Sequence, residues 1–343
     1  MRDSRPVRRA AIRLGGVTLA GAAVLVGVAG PADAAPNPSR AGDYACSWAA
    51  QVLPTVPTTD FAVGVVRGTD GDQTFAGGSN GHAVLWRDGR LIDMGVGLAE
   101  DVNSNGDAVG TQQDSEYVPH ATLFKAGTAV RLAEPANAWE TQANGINDAG
   151  LIVGTAAFPG IGWHALVWSA DTPGSVLDLG TLDGTEATRL VGVDEAGTLI
   201  GNADDPAGGQ IAVIGTVHGG LRALRGSTRD AGTVANAIAG RYVAGIQYLN
   251  GGAQTVRWVN GRVQVLPGGF EANGVNSKGT VVGRGSYDLT ALIWTGAADP
   301  VELPNPAGLR QAGAAAITDD GGTVGGYAFT DGIDLLPVLW SCR

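Results

Sequence analysis

The stretch Ala143-Asn-Gly-Ile-Asn-Asp-Ala-Gly-Leu-Ile-Val-Gly154, continued by His164-Ala-Leu-Val-Trp168 and Val176-Leu-Asp-Leu-Gly180, is one repeat unit, and imperfect copies of it run from about Asp60 to the C-terminus. It reads as four short strands. Residues 143–147 alternate small and apolar side chains (strand a), and Asn147-Asp148-Ala149-Gly150 turns the chain, with Asn first and Gly last as a four-residue turn favours. Residues 151–154 (b), 164–168 (c) and 176–179 (d) are β-branched, aromatic or alternating runs between Gly, Pro and Asp, the pattern of an antiparallel meander.

Two markers carry the repeat along the chain. The glycine expected to end strand b recurs at Gly77, Gly110, Gly154, Gly201, Gly245, Gly283 and Gly325. That gives seven copies at a mean spacing of roughly 41 residues, in the range of propeller blades. In phase with it, a bulky residue ends strand c: Trp86, Phe124, Trp168, Ile214, Trp258, Trp294 and Trp340. A tryptophan once per copy packs between neighbouring sheets. Because a four-stranded blade cannot bury both faces alone, a closed ring follows. The expectation is an all-β chain, a single propeller of seven four-stranded antiparallel blades over residues 44–343.

Gly145-Ile146-Asn147, His164-Ala165-Leu166 and Leu177-Asp178-Leu179-Gly180 resemble the HAF extracellular repeat family, whose copies carry a Gly-Ile-Asn turn, a His-Ala-Phe run and an Asp-Leu-Gly run. The resemblance spans about residues 60–340 and is most specific in the second to fourth copies; later copies carry Gln210, Gln254, Thr290 and Leu336 at the histidine position. It implies a secreted repeat protein with a propeller fold and no established activity.

The N-terminus reads as an export signal. Arg5, Arg8, Arg9 and Arg13 precede an uncharged apolar segment from Gly15 to Gly30, and Ala32-Asp33-Ala34 is a small-residue cleavage site. Residues 1–34 are expected to be removed, leaving a short linker at 35–43. The apolar segment is short for a membrane span, which takes about 20 residues. Arg8-Arg9 hints at twin-arginine export, but Ala10-Ala11-Ile12 continues that motif poorly, so the Sec route and a secreted, soluble, monomeric protein are expected.

Removal of the leader leaves 17 basic and 31 acidic residues. Such a surface disfavours nucleic acid. It suits cations, neutral glycans or basic proteins, and it also serves plain solubility. Only Cys46 and Cys342 are present, and in an exported chain they are expected to pair. The seventh copy lacks strand d, and Gln51-Val52-Leu53 is a strand without a blade; placing it in the last blade closes the ring and brings the cysteines together. Tyr44-Ala45-Cys46-Ser47-Trp48 itself also reads as a strand c, which would make the termini overlap.

Candidate sites are few. His82, His120 and His164 share one position on strand c, about 10 Å outside strand a, where equivalent atoms diverge too far to meet a zinc ion at about 2 Å; a ring nitrogen bonding a turn backbone is expected instead. Gly68-Thr69-Asp70-Gly71-Asp72-Gln73 resembles a calcium loop only faintly and reads as a turn. No metal or cofactor is implied. Six of the seven connections from strand d to the next strand a carry a carboxylate: Asp60, Glu100, Glu140, Glu186, Asp230 and Glu271; the seventh offers Arg310 and Gln311. The b–c loops on the same face hold Tyr117, Phe158, Trp163, Tyr248, Tyr287 and Phe329. Acids beside exposed rings suit a glycan or a cationic ligand, on a secreted or surface partner. The alternative is a glycan-acting hydrolase or lyase using two rim carboxylates about 5 to 9.5 Å apart. A purely structural or docking propeller is the third reading. The Asp-box of sialidases, a Gly-x-Ser-x-Gly elbow and a phosphate loop are all missing, which weighs against an enzyme.

Overall fold

A computed structural model describes residues 46–226, 232–249, 252–285 and 289–343. The chain divides into Met1–Ala45 and Cys46–Arg343. The leader and linker expected at 1–34 and 35–43 fall outside the described residues, as do Tyr44, Ala45, Asp230 and Tyr287.

Seven four-stranded antiparallel sheets form the blades of a β-propeller. The third, built from the decisive stretch, comprises Glu140–Ile146, Leu151–Phe158, Gly162–Ser169 and Leu177–Gly180 as strands a to d. Its middle strands are longer than the sequence runs suggest, so Phe158 and Trp163 belong to strand ends rather than to a loop. The seventh blade takes Leu309–Ile317, Thr323–Thr330 and Leu335–Cys342 from the end of the chain and Trp48–Val52 from its start. Trp48 lies opposite Cys342 and Val52 opposite Val338. The N-terminal strand is therefore a strand d, as the missing fourth strand demands, and the termini do not overlap as two strands c. Cys46 and Cys342, 296 residues apart, are disulfide-bonded beside this pairing.

Every strand a has a β-bulge one residue long, at Arg67, Glu100, Asn144, Val191, Asn236, Asn273 and Ala315. The bulge explains the marker glycine. A Cβ on Gly154 would stand 1.9 Å from the Gln142 carbonyl oxygen, two residues before the bulge, and Gly110, Gly245 and Gly283 meet the equivalent oxygen at the same distance. The glycine thus lies within strand b rather than ending it. In the last blade the residue facing that oxygen is Gly326, 2.0 Å from Gly313 O, while Gly325 packs on Val66 and Phe75 of blade 1.

The bulky residues of strand c are buried between blades: Trp86, Phe124, Trp258, Trp294 and Trp340 have no exposed surface. Indole N–H groups of Trp86, Trp168, Trp294 and Trp340 donate to the carbonyls of Pro54, Ala133, Pro267 and Pro304, each directly after a buried leucine that follows a strand d. A buried indole needs such an acceptor. The repeated Leu-Pro and the repeated Trp are two halves of one contact.

Gly154→Ala should lower stability by roughly 2–4 kcal/mol, the cost of forcing atoms into closed packing. Gly174→Ala, where the added methyl meets nothing within 4 Å, should be near neutral. Urea denaturation of both variants checks this. Reducing the disulfide should cost up to about 5 kcal/mol through restored chain entropy.

Candidate functional site

The turns between strands a and b carry more than local chain reversal. Asn103 Oδ1 accepts the N–H groups of Asn105 and Asp107, while its Nδ2 donates to Asn147 O in the next blade. Asn147 repeats this toward Asp194 O, and Asn276 toward Thr318 O. Asp70 and Asp194 make only the accepting half, because a carboxylate has no N–H to donate. In the bulges Asn144, Asn236 and Asn273 also donate to the next blade, at Leu190 O, Ala272 O and Ala314 O. Asparagine is thus the residue that ties blade to blade around the axis.

These inner strands and turns line a central cavity of about 460 Å³, within the range of small-molecule sites. Among the described residues its lining includes seven acidic residues, Asp70, Glu100, Asp101, Asp148, Asp194, Glu195 and Asp319, against one basic residue, Arg67. Arg67 Nε lies 3.9 Å from Glu100 Oε2. Asp101 occupies the position after the bulge, where the other blades have Gly68, Gly145, Gly192, Ala237, Gly274 and Ala316. Its Oδ2 accepts the Ile146 N–H at 3.1 Å. Burial in the channel wall pushes its pKa up to about 7 against the pull of two backbone N–H groups, and the charges of Glu195 and Glu100 add to the rise. Some of the side chain still meets channel solvent, while protein surrounds it on most sides. Burial also raises Glu100, with Arg67 opposing. Glu195 accepts the Asp148 N–H at 3.0 Å; it is raised by partial burial and then by Asp148, Asp194 and Asp319, the last from blade 7.

The acids of the d–a connections occupy unlike positions along the inner strands. Relative to the bulge, Glu100 occupies it, Glu271 lies two residues before, Glu140 four, Glu186 five and Asp60 seven. Of these only Glu100 lines the cavity. Glu271 is taken by Arg284, at 2.7 and 3.0 Å. Glu140 is raised by burial and has no ion pair among the described residues, and Asp60 and Glu186 are exposed. Tyr117 and Tyr248 are exposed, 79% and 45%, whereas Trp163 is stacked by the Arg189 guanidinium 5.0 Å from its ring. Arg310 pairs with Asp331. Neither Asp101 nor Glu195 is marked by the repeat pattern; for Asp101 the available signal is an aspartate at a position that is otherwise Gly or Ala.

The histidines bind carboxylates rather than turn backbones. His82 Nδ1 lies 2.9 Å from Asp93 and His164 Nδ1 2.9 Å from Asp178, and the same aspartates accept the N–H groups of Gly95 and Gly180. The His-Ala and Asp-x-Gly runs are therefore one latch between strands c and d. In blade 2 His120 meets Glu134 and Asp114, at 2.8 and 3.1 Å. Burial opposes ionisation of Asp93, but the Gly95 N–H and His82 outweigh it and hold its carboxyl below the usual range. Among the described residues no three His, Cys, Asp or Glu side chains are grouped to hold a metal ion, and no helix is long and apolar enough to cross a membrane.

No protein-family model and no curated protein matches the chain. Solved structures do. A puromycin-hydrolysing peptidase from Mycobacterium tuberculosis aligns over 84% of this chain and 54% of its own, at 11% identity and a TM-score of 0.56. The propeller domain of the Trilobed protease from Pyrococcus furiosus aligns over 83% and 94%, at 10% identity and a TM-score of 0.55. The likeness is one of fold. This chain spans about half the length of the peptidase. The Pyrococcus domain is described as having an open velcro topology, whereas here Trp48–Val52 closes the ring.

A carboxyl whose folded pKa is raised stabilises the fold fully below its unfolded value, near 4, and that contribution is lost as pH rises through about 7. Asp101→Asn should therefore melt at least about 3 °C above the parent protein at pH 8 and show no such gain at pH 4. Thermal unfolding across pH 4–8 reads this directly.

Proposed function

We propose that this protein is an exported recognition propeller, of the HAF repeat kind, that holds an organic cation of the diamine or polyamine class in its central channel. The observation that carries this reading is the crowding of Glu100, Asp101 and Glu195 around a cavity whose walls, among the described residues, offer only Arg67 in return. Crowded, partly desolvated carboxylates are the condition under which an incoming positive charge gains most, because it relieves both their mutual repulsion and their lost hydration. The acids run from the bulge level, at Glu100, to the turn level, at Glu195 and Asp319, and so suit an elongated ligand with separated ammonium groups. The Cys46–Cys342 disulfide supports an oxidising compartment. The glycan and hydrolase readings would draw instead on Asp60, Glu140 and Glu186, which occupy unlike positions relative to the bulge, while Glu271 is paired with Arg284.

Isothermal titration with spermidine tests the proposal. Binding should be submillimolar at pH 8 and at least about tenfold weaker at pH 5, where Asp101 is protonated. The Asp101→Asn/Glu195→Gln variant should lose about tenfold or more at pH 8, and salt should weaken binding. A parent protein that gives no binding heat, or a double variant that binds as well as the parent, overturns it.

A further inference from the structure

The face opposite the a–b turns, where the d–a connections and b–c hairpins emerge, has a different character. Among the described residues fifteen large apolar side chains are at least about a third exposed. Six of them lie on the outermost strands; the other nine all belong to this face, and none belongs to the opposite one. Scattered exposed apolar residues are ordinary, whereas grouped ones mark an interaction surface.

They are grouped. At each of three junctions, the b–c hairpin of one blade lies beside the segment leading into strand a of the next. At the junction of blades 7 and 1, Ile333 is 72% and Phe61 55% exposed. The two segments are joined by Ala62 N–H donating to Asp334 Oδ1 at 2.7 Å and Leu335 N–H donating to Ala62 O at 2.9 Å. At the junction of blades 2 and 3 the corresponding residues are Tyr117, in the hairpin, and Trp139, 58% exposed, in the segment entering strand a; Ile161, 64% exposed, is at the tip of the following hairpin, of blade 3. The third group, at blades 5 and 6, is Tyr248, Leu249 and Phe270. The hairpin tips are held in place by tight turns, Tyr117 N–H to Asp114 O and Ile161 N–H to Phe158 O, both 3.1 Å.

We infer that this face docks a polypeptide that presents apolar side chains together with lysine or arginine. Two observations select that partner. Isoleucine and leucine at hairpin tips have no flat face to lie against a sugar ring, but with Trp and Tyr beside them they match the anchors of protein interfaces. The charge around them is also one-sided. Arg131, Arg189, Arg284 and Arg310 are each held by a carboxylate. Asp60, Glu116, Glu140 and Glu186 have no ion pair among the described residues and await a cation. The same carboxylates repel an anionic bilayer. The inference is independent of the channel ligand, which enters from acids at the other end of the axis.

The probe is a fluorescein-labelled 14-residue amphipathic peptide of leucine and lysine, read by anisotropy. Leucine–glutamate and oligolysine peptides of equal length serve as comparators, with anionic and zwitterionic vesicles in parallel. The leucine–lysine peptide should bind at least tenfold more tightly than either comparator. Tyr117→Ser/Trp139→Ser/Ile161→Ser should weaken it at least tenfold, while Leu177→Ser/Val265→Ser on the outer strands should not. These side chains are exposed, and near-ultraviolet circular dichroism verifies that both variants fold. Asp101→Asn/Glu195→Gln should bind the peptide unchanged, which separates this face from the channel. Equal binding by the triple variant, equal binding of the leucine–glutamate peptide, or vesicle binding in place of peptide binding overturns the inference.

Discussion

The closest constraint in this propeller is the approach of a bulged inner strand to the strand beside it. The bulge turns one residue per blade toward the axis and brings a carbonyl oxygen to within 2.2 Å or less of where strand b would place a Cβ. Only glycine leaves room there. Because the bulge also bends the strand and sharpens its twist, it sets how closely seven inner strands gather around the axis. The channel and its asparagine ties depend on that one steric fact.

This is why the fold was legible. The glycine answers to a local requirement that recurs in every blade, and the turn Asn or Asp and the strand-c tryptophan to ones met in five of the seven, so they recur in the sequence. The missing fourth strand of the last blade and the two terminal cysteines were legible for the same reason. What the periodicity could not show was the extent of strands b and c, or that Gly326 rather than Gly325 faces the last bulge. There the sequence offers two adjacent glycines, and only the register against Gly313 separates them.

The site was legible only in part. Acids ahead of strand a were visible, but their offsets from the bulge were not, and a shift of one residue in a strand moves a side chain to the other face. Glu100 therefore reached the channel while Glu271 met Arg284. Asp101 broke the small-residue pattern, a signal that needs the bulge to be located first. The partners of the histidines, Asp93, Asp178 and Glu134, lie 11 to 14 residues away, on or just beyond strands whose register only the structure supplies.

The closing pair of strands also fixes the polarity of the molecule as a building block. Ser47 and Arg343 exchange two backbone hydrogen bonds, so the two ends of the described fold lie side by side, on the face where the a–b and c–d turns emerge. Anything grafted to either end emerges beside the acidic mouth and leaves the apolar hairpin tips clear. Joined through either end to another domain or an immobilised support, the propeller would stand with the same side outward.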